Sequence, residues 1–470
     1  MLFPTLTFAV FFVIAFTGNW WLRPNRTLWL LFLLAASWTF YGWWDARFVG
    51  LLAFAVAWNW LLGGLIAAAR GGAPSPPSGA RVLLALAVAV DLGLLGWFKY
   101  YGFFATSLVN LLRDLGFDLS PRIVHVTLPV GISFFTFQAI SYVVDIFRGA
   151  IRPMRPLEFA VYLSFFPQLV AGPIVRASEF APQLANPADP RFLPMAEAFR
   201  LIFSGLFKKV VISSFLASEI VDPVFAVPGE ASSLEVLVAS YAYAVQIYAD
   251  FSGYTDIAIG CALLLGFRLP QNFDAPYRAR SVREFWRRWH MTLSRWLRDY
   301  LYIPLGGNRG PRAFVYRNLF LTMLLGGLWH GAAWHFVVWG ALHGLALIAE
   351  RHLQERTAWR PSPVLAWLLT FHFVSLTWIF FRAESIGDAL TLLGRLLTAP
   401  GDAPLVTTPV LAVIAAALAA QFVPESFTLR LQWLYSRAGP ALQAAGFAFG
   451  LVLVDALGPE GVAPFIYFQF

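Results

Sequence analysis

The run from Asn318 to Ala349, NLFLTMLLGGLWHGAAWHFVVWGALHGLALIA, contains no Asp, Glu, Lys or Arg. A helix needs about 20 apolar residues to cross a hydrocarbon core about 30 Å thick, so this run is read as membrane-embedded. In hydrocarbon every backbone polar group must be satisfied within the protein, which favours helix for so long an apolar run. Near its middle stands His330. An imidazole can be protonated near neutral pH and is costly in a bilayer unless it faces a bundle interior or a water-filled cavity. That position is a candidate functional site on this ground alone.

The rest of the chain has the same character. Of 470 residues, 59% are hydrophobic and 13% charged, with a mean hydropathy of +0.65, whereas soluble chains carry about 25% charged residues. Candidate membrane segments lie near residues 4–22, 28–45, 48–68, 81–104, 126–146, 158–175, 200–222, 234–266, 318–350, 363–382, 404–422 and 441–456. The expected fold is an all-α polytopic integral membrane protein with about eleven transmembrane helices plus re-entrant or interfacial ones. The phrase FFPQLVAGPI, within 158–175, marks a broken or re-entrant helix. Residues 1–470 are read as one membrane-embedded domain with an aromatic tail at 464–470. The opening MLFPTLTFAVFFVIAF has no basic n-region and reads as a retained first helix.

Charge is uneven. Between Arg268 and Arg317 there are eleven arginines against Asp274, Glu284 and Asp299, which puts this segment on the cytoplasmic side. The arginines serve either topology and headgroup contact or the binding of a phosphate-bearing donor such as a coenzyme. The segment has no zinc-finger spacing or other compact DNA-reading unit, so nucleic acid is not an expected partner. Cys261 is the one cysteine, which excludes an intrachain disulfide and makes it a packing residue.

His330 and His335 are five residues apart, about 500° around an ideal helix, so their side chains diverge by about 140°. No HExxH accompanies them, and no metal site is expected. His343 is also off the His330 face. His290 lies in REFWRRWHMTLSRWLRDYLYIPLGGNRG, where a continuous helix would align it with Trp286, Ser294 and Leu297 or Arg298. It reads either as a polar slot on an interfacial helix or as a residue that positions substrate. Gly306, Gly307 and Gly310, around Asn308 and Arg309, form a loop able to cradle an anion. Asp250 and Asp256 are six residues apart and make no carboxylate pair; they are expected to bond to Asn272 or to arginines, or to line a funnel. As a base, His330 would take the proton of a hydroxyl as its oxygen attacks an acyl carbonyl.

The phrases SVREFWRRWHMTLSRWLRDYLYIPLGGNRG and NLFLTMLLGGLWHGAAWHFVVWGALHG closely resemble the membrane-bound O-acyltransferase (MBOAT) family, in the bacterial branch that modifies alginate, cellulose, peptidoglycan and teichoic acid. LPVGISFFTFQAISYVVDIFRG at 128–149, FFPQLVAGPIVR at 165–176, GLFKKVVI at 205–212 and QIYADFSGYTDIAIGCALLLGFRLPQNFDAPYRARS at 246–281 extend the likeness over most of the chain.

The resemblance implies a helical bundle with a central tunnel in the bacterial inner membrane. It implies that His330 is catalytic and that His290 is the second polar residue of the site. No bound cofactor is implied; acetyl-CoA is the acyl donor, with Arg287, Arg288, Asn308 and Arg309 as candidates to contact it. The tail matches a terminal F-x-Y-F-x-F motif through Phe465, Tyr467, Phe468 and Phe470, whose tyrosine carries the acyl group transiently. From composition alone the same tail could be an interfacial anchor. The resemblance further implies that the acetyl group passes to a separate periplasmic SGNH-like or alginate-type O-acetyltransferase and on to an exopolysaccharide, with other polysaccharide pathway proteins and the lipid bilayer as partners. D-alanyl or other acyl transfer to a cell-wall polymer stays open, as does a non-enzymatic transporter.

Overall fold

The computed structural model describes residues 1, 3–72, 75–117, 121–170, 172–357 and 361–458. These form helices joined by loops and turns, with no strand among the described residues. Packing divides the chain into two compact units, Met1–Leu193 with Ala262–Leu269, and Pro194–Cys261 with Pro270–Phe470.

In the first unit, α1 (Leu6–Leu22) begins at Thr5, whose hydroxyl accepts from the Phe8 N–H, and α2 (Arg26–Gly42) at Asn25, which accepts from the Leu28 N–H. Such caps satisfy amides that have no partner inside the helix. Next come α3 (Arg47–Arg70), α4 (Ser78–Leu95), a π-helical stretch Gly96–Tyr100 leading into α5 (Tyr101–Asp114), α6 (Ile132–Arg148) and α7 (Pro156–Ser164). Polar side chains pin this unit internally. The Trp29 indole donates to Asn19 Oδ1 at 2.8 Å, and the Asn19 amide donates to the Leu265 carbonyl at 3.2 Å. Asn59 donates to Asp91 Oδ1 at 2.9 Å, with both residues buried.

The second unit holds both candidate histidines. Its α8 (Met195–Leu206) runs into a π-helical stretch, Phe207–Ser213, and is followed by α9 (Ser233–Leu264), whose last turn belongs to the first unit. Then come α10 (Val282–Arg288), α11 (Met291–Leu297), α12 (Arg312–His330), α13 (Trp334–Arg356), α14 (Pro363–Arg382), α15 (Thr408–Ala420), α16 (Glu425–Arg437) and α17 (Pro440–Leu457). Glycines let backbones touch. A Cβ at Gly340 of α13 would lie 2.5 Å from the Met323 carbonyl of α12, and one at Gly205 of α8 would lie 2.5 Å from the Gly253 carbonyl of α9. Lipid tails are as apolar as leucine, so helices in a bilayer associate through such close packing rather than through hydrophobic exclusion. Two ion pairs also tie the π-helical stretch to α9: Lys208 to Asp256 at 2.5 Å, and Lys209 to Asp250.

The expectation of about eleven transmembrane helices is corrected. Among the described residues five helices are long and apolar enough to cross a membrane: Arg47–Arg70, Ser78–Asp114, Met195–Ala226, Pro363–Arg382 and Pro440–Leu457. The pair α15 and α16, bent by 92°, makes a sixth if counted as one span. The apolar runs seen in the sequence are subdivided by turns. Asn318–Ala349 is not one rod but a hairpin, in which α12 ends at His330 and α13 starts at Trp334. The 158–175 segment likewise breaks into Pro156–Ser164 and Phe166–Leu169. The long α9 carries Glu235, Asp250 and Asp256 along its length and is not among the five.

Candidate active site

His290 is on no helix. It occupies the break between α10 and α11 at φ 42°, ψ 54°, a left-handed conformation that costs a residue with a Cβ about 1–2 kcal/mol. The expected helical face shared with Trp286 and Ser294 is therefore corrected. Asn272 holds the bend. Its main-chain carbonyl accepts from the Met291 N–H at 2.9 Å, and its Oδ1 lies 3.2 Å from the Thr292 N, 2.9 Å from the Thr292 hydroxyl and 3.1 Å from His290 Nδ1. One buried amide thus grips three consecutive residues. The edge of Phe251, from α9, packs on the His290 ring at 4.7 Å between centroids.

His330 is the last residue of α12, 3% exposed, and the chain leaves it in extended conformation at Gly331. Trp329, Trp339 and Phe381 surround its ring edge to face, with centroids 5.2, 5.2 and 5.3 Å away. A side chain at Gly331 would run into the Phe336 ring, so the turn that presents His330 has no spare room. The imidazoles of His290 and His330 are 6.4 Å apart between centroids. Nitrogens that each reach one oxygen at about 3 Å are no more than about 6 Å apart, and these rings are close enough to meet that condition.

His335 and His343, both on α13, are engaged elsewhere. His335 Nδ1 is 2.9 Å from the Phe380 carbonyl. His343 accepts from the Trp286 indole at Nδ1, 3.2 Å, so its Nε2–H donates to the Thr377 hydroxyl at 3.1 Å. Asp250 and Asp256 each pair with a lysine, a partner that the sequence reading did not expect for them. Among the described residues no group of three or more His, Cys, Asp or Glu side chains could hold a metal.

A cavity of about 740 Å³ is lined by Arg283, Arg287, Arg295, Arg298 and Arg351 against Glu350 and Glu355, with Asn308 and Tyr302 on its wall. Met291, the residue after His290, also lines it, as do Thr322 and Met323 of α12. Of the four donor-contact candidates, Arg287 and Asn308 are therefore on the cavity. Arg288 is instead tied to Asp274 at 2.7 Å and Glu284 at 2.9 Å, and Arg309 is exposed and does not line the cavity. Arg283, Arg295 and Arg351 were not singled out from sequence, and Arg298 only as a neighbour of His290 on a continuous helix; the arginine density of 268–317 covers Arg283, Arg295 and Arg298, while Arg351 arrives from α13. Tyr467 and the tail 464–470 lie outside the described residues.

A buried pair of imidazoles within an all-helical, multi-pass membrane protein is what the geometry defines. The chain belongs to the membrane-bound O-acyltransferase family, MBOAT, matched by residues 87–385. It is 44% identical over 391 residues to the probable alginate O-acetylase AlgI of Azotobacter vinelandii, covering 83% of this chain and 76% of that protein. To the peptidoglycan O-acetyltransferase of Helicobacter pylori it is 38% identical over 424 residues, 83% of this chain and 78% of that one. To the teichoic acid D-alanyltransferase of Bacillus subtilis it is 27% identical over 276 residues, 54% and 69% respectively. The protein is an O-acyltransferase of the bacterial inner membrane.

Proposed function

We propose that this enzyme moves acetyl groups from cytoplasmic acetyl-CoA toward the hydroxyls of an exported, alginate-like polysaccharide, and that residues 1–470 act as one catalytic body. The observation that carries this reading is the pairing of buried His290 and His330, 6.4 Å apart, with an arginine-rich cavity that reaches Met291 beside His290. Arg283, Arg287 and Arg351 suit the phosphates of coenzyme A, because guanidinium groups bind phosphate oxygens through paired N–H donors. Relatives named as O-acetylase and O-acetyltransferase support acetyl as the group moved. So does the ring of Trp329, Trp339 and Phe381 around His330, which favours a small acyl group.

In the chemical step His330 takes the proton of an attacking hydroxyl while its oxygen adds to the thioester carbonyl. The tetrahedral intermediate collapses, the C–S bond breaks, and the thiolate leaves with the proton that His330 had taken. The attacking hydroxyl is that of Tyr467, a phenol with an ordinary pKa near 10 that needs such a base. The acetyl ester then passes to a periplasmic SGNH-like or alginate-type transferase. The test uses purified protein in nanodiscs with labelled acetyl-CoA, followed by mass spectrometry of the C-terminal peptide. Wild type should release coenzyme A and carry an acetyl adduct on Tyr467; His330→Ala should do neither, and in cells Tyr467→Phe should leave the exported polymer unacetylated. Wild-type thioester consumption by H330A overturns the assignment of the base. Normal polymer acetylation by Y467F moves the acceptor hydroxyl elsewhere.

A further inference from the structure

Asn272 faces three donors with one atom, and the chemistry of one of them fixes the chemistry of the others. The Thr292 main-chain N–H can only donate, and it points at the Asn272 side chain at 3.2 Å. The atom it meets is therefore the amide oxygen and not the amide nitrogen. The same oxygen lies 3.1 Å from His290 Nδ1. A bare ring nitrogen would set two lone pairs against each other, so Nδ1 carries a proton. In a neutral imidazole the lone pair then falls on Nε2.

We infer that Asn272 is a positioning residue that holds His290 as the neutral Nδ1–H tautomer, so that His290 meets the substrate as a hydrogen-bond acceptor through Nε2. The inference rests on the acyl-transfer reading and settles a choice that reading leaves open. A group that steadies the oxyanion of the tetrahedral intermediate must donate. His290 in this tautomer has no proton to give at Nε2, so it receives one that His330 does not remove: the N–H of an amide in the donor's pantetheine arm. Asn272 does more than orient the ring. By also gripping Met291 and Thr292 it maintains the left-handed backbone at His290, without which the imidazole would turn with the helix.

The tautomer is read directly by solid-state NMR of nanodisc samples with ¹⁵N-labelled histidine, His290 being assigned by subtracting the His290→Gln spectrum. A protonated Nδ1 and an unprotonated Nε2 are expected; the reverse pattern overturns the inference, whatever the enzyme's activity. Kinetics test its consequence. Asn272→Leu keeps the volume and removes the acceptor, and should lower kcat by about 10²-fold in protein that still elutes as a folded species. Asn272→Asp keeps an acceptor oxygen and should lose less than about tenfold. Wild-type kcat in N272L, or equal losses in both variants, overturns the positioning role. In N272L the loss should fall equally on acyl transfer and on acetyl-CoA hydrolysis, with a raised KM for acetyl-CoA; a loss confined to transfer overturns the pantetheine amide as the bonded group. A wild-type enzyme that leaves acetyl-CoA untouched defeats the proposed function instead, and the NMR result still decides the tautomer.

Discussion

Lys209 and Asp250 are 2% and 3% exposed at their side chains and form an ion pair between the π-helical stretch and α9. Removing one partner of such a pair leaves a buried charge without its counter-charge, which costs about 3–5 kcal/mol. Lys209→Met should therefore lower the midpoint of thermal unfolding by roughly 6–10 °C, taking about 2 °C per kcal/mol for a unit of this size. Replacing both partners by apolar residues of similar volume often restores or exceeds the original stability. The double variant Lys209→Met with Asp250→Leu should accordingly recover most of the loss. Activity should follow a different course, because Phe251, which packs on His290, is the next residue after Asp250. The single variants should lose kcat beyond what their folded fraction explains, and the double variant should regain stability more fully than turnover. Differential scanning fluorimetry of detergent-solubilised protein, paired with acetyl-CoA consumption per folded molecule, measures both. A K209M protein as stable as wild type, or a double variant no better than the singles, would refute the argument that the pair is buried and mutually required.

Arg283→Ala and Arg287→Ala should each raise the KM for acetyl-CoA by about 3- to 10-fold with little change in kcat, an effect that weakens at high salt. Arg288→Ala, whose guanidinium is held by Asp274 and Glu284, should change the KM less than either; steady-state kinetics at two ionic strengths distinguish them. Gly340→Val should abolish the yield of folded protein on size-exclusion chromatography, since its Cβ lies 2.5 Å from a carbonyl of α12 and overpacking costs about 1–3 kcal/mol before any strain in the hairpin. His335→Gln should keep turnover within about threefold of wild type, because its imidazole is spent on the Phe380 carbonyl and not on the reaction.

The sequence disclosed the family and the candidate histidines better than the path of the backbone. His330 stood out because an ionisable group in an uncharged run needs a reason, and that argument depends on composition alone. The hairpin at Gly331 was hidden, because hydropathy adds up along the chain and does not register a reversal made of small, uncharged residues. His290 was legible by the phrase around it but not by its geometry. No glycine marks its left-handed bend; the conformation is imposed by Asn272, 18 residues earlier in the chain, and such a constraint exists only after folding. The partners of Asp250 and Asp256 were missed for a related reason: Lys208 and Lys209 are sequence neighbours, and a regular helix would not aim both at α9, whereas the π-helical stretch does.

Position 290 sets folding and chemistry against each other. Its backbone conformation is one that glycine and asparagine adopt with little penalty and that histidine does not. On the proposed role of His290, a library of variants sorted only for yield or heat resistance will enrich glycine or asparagine there and deliver well-behaved protein with lowered turnover. Engineering of this enzyme has to screen turnover and stability together, with residue 290 held fixed.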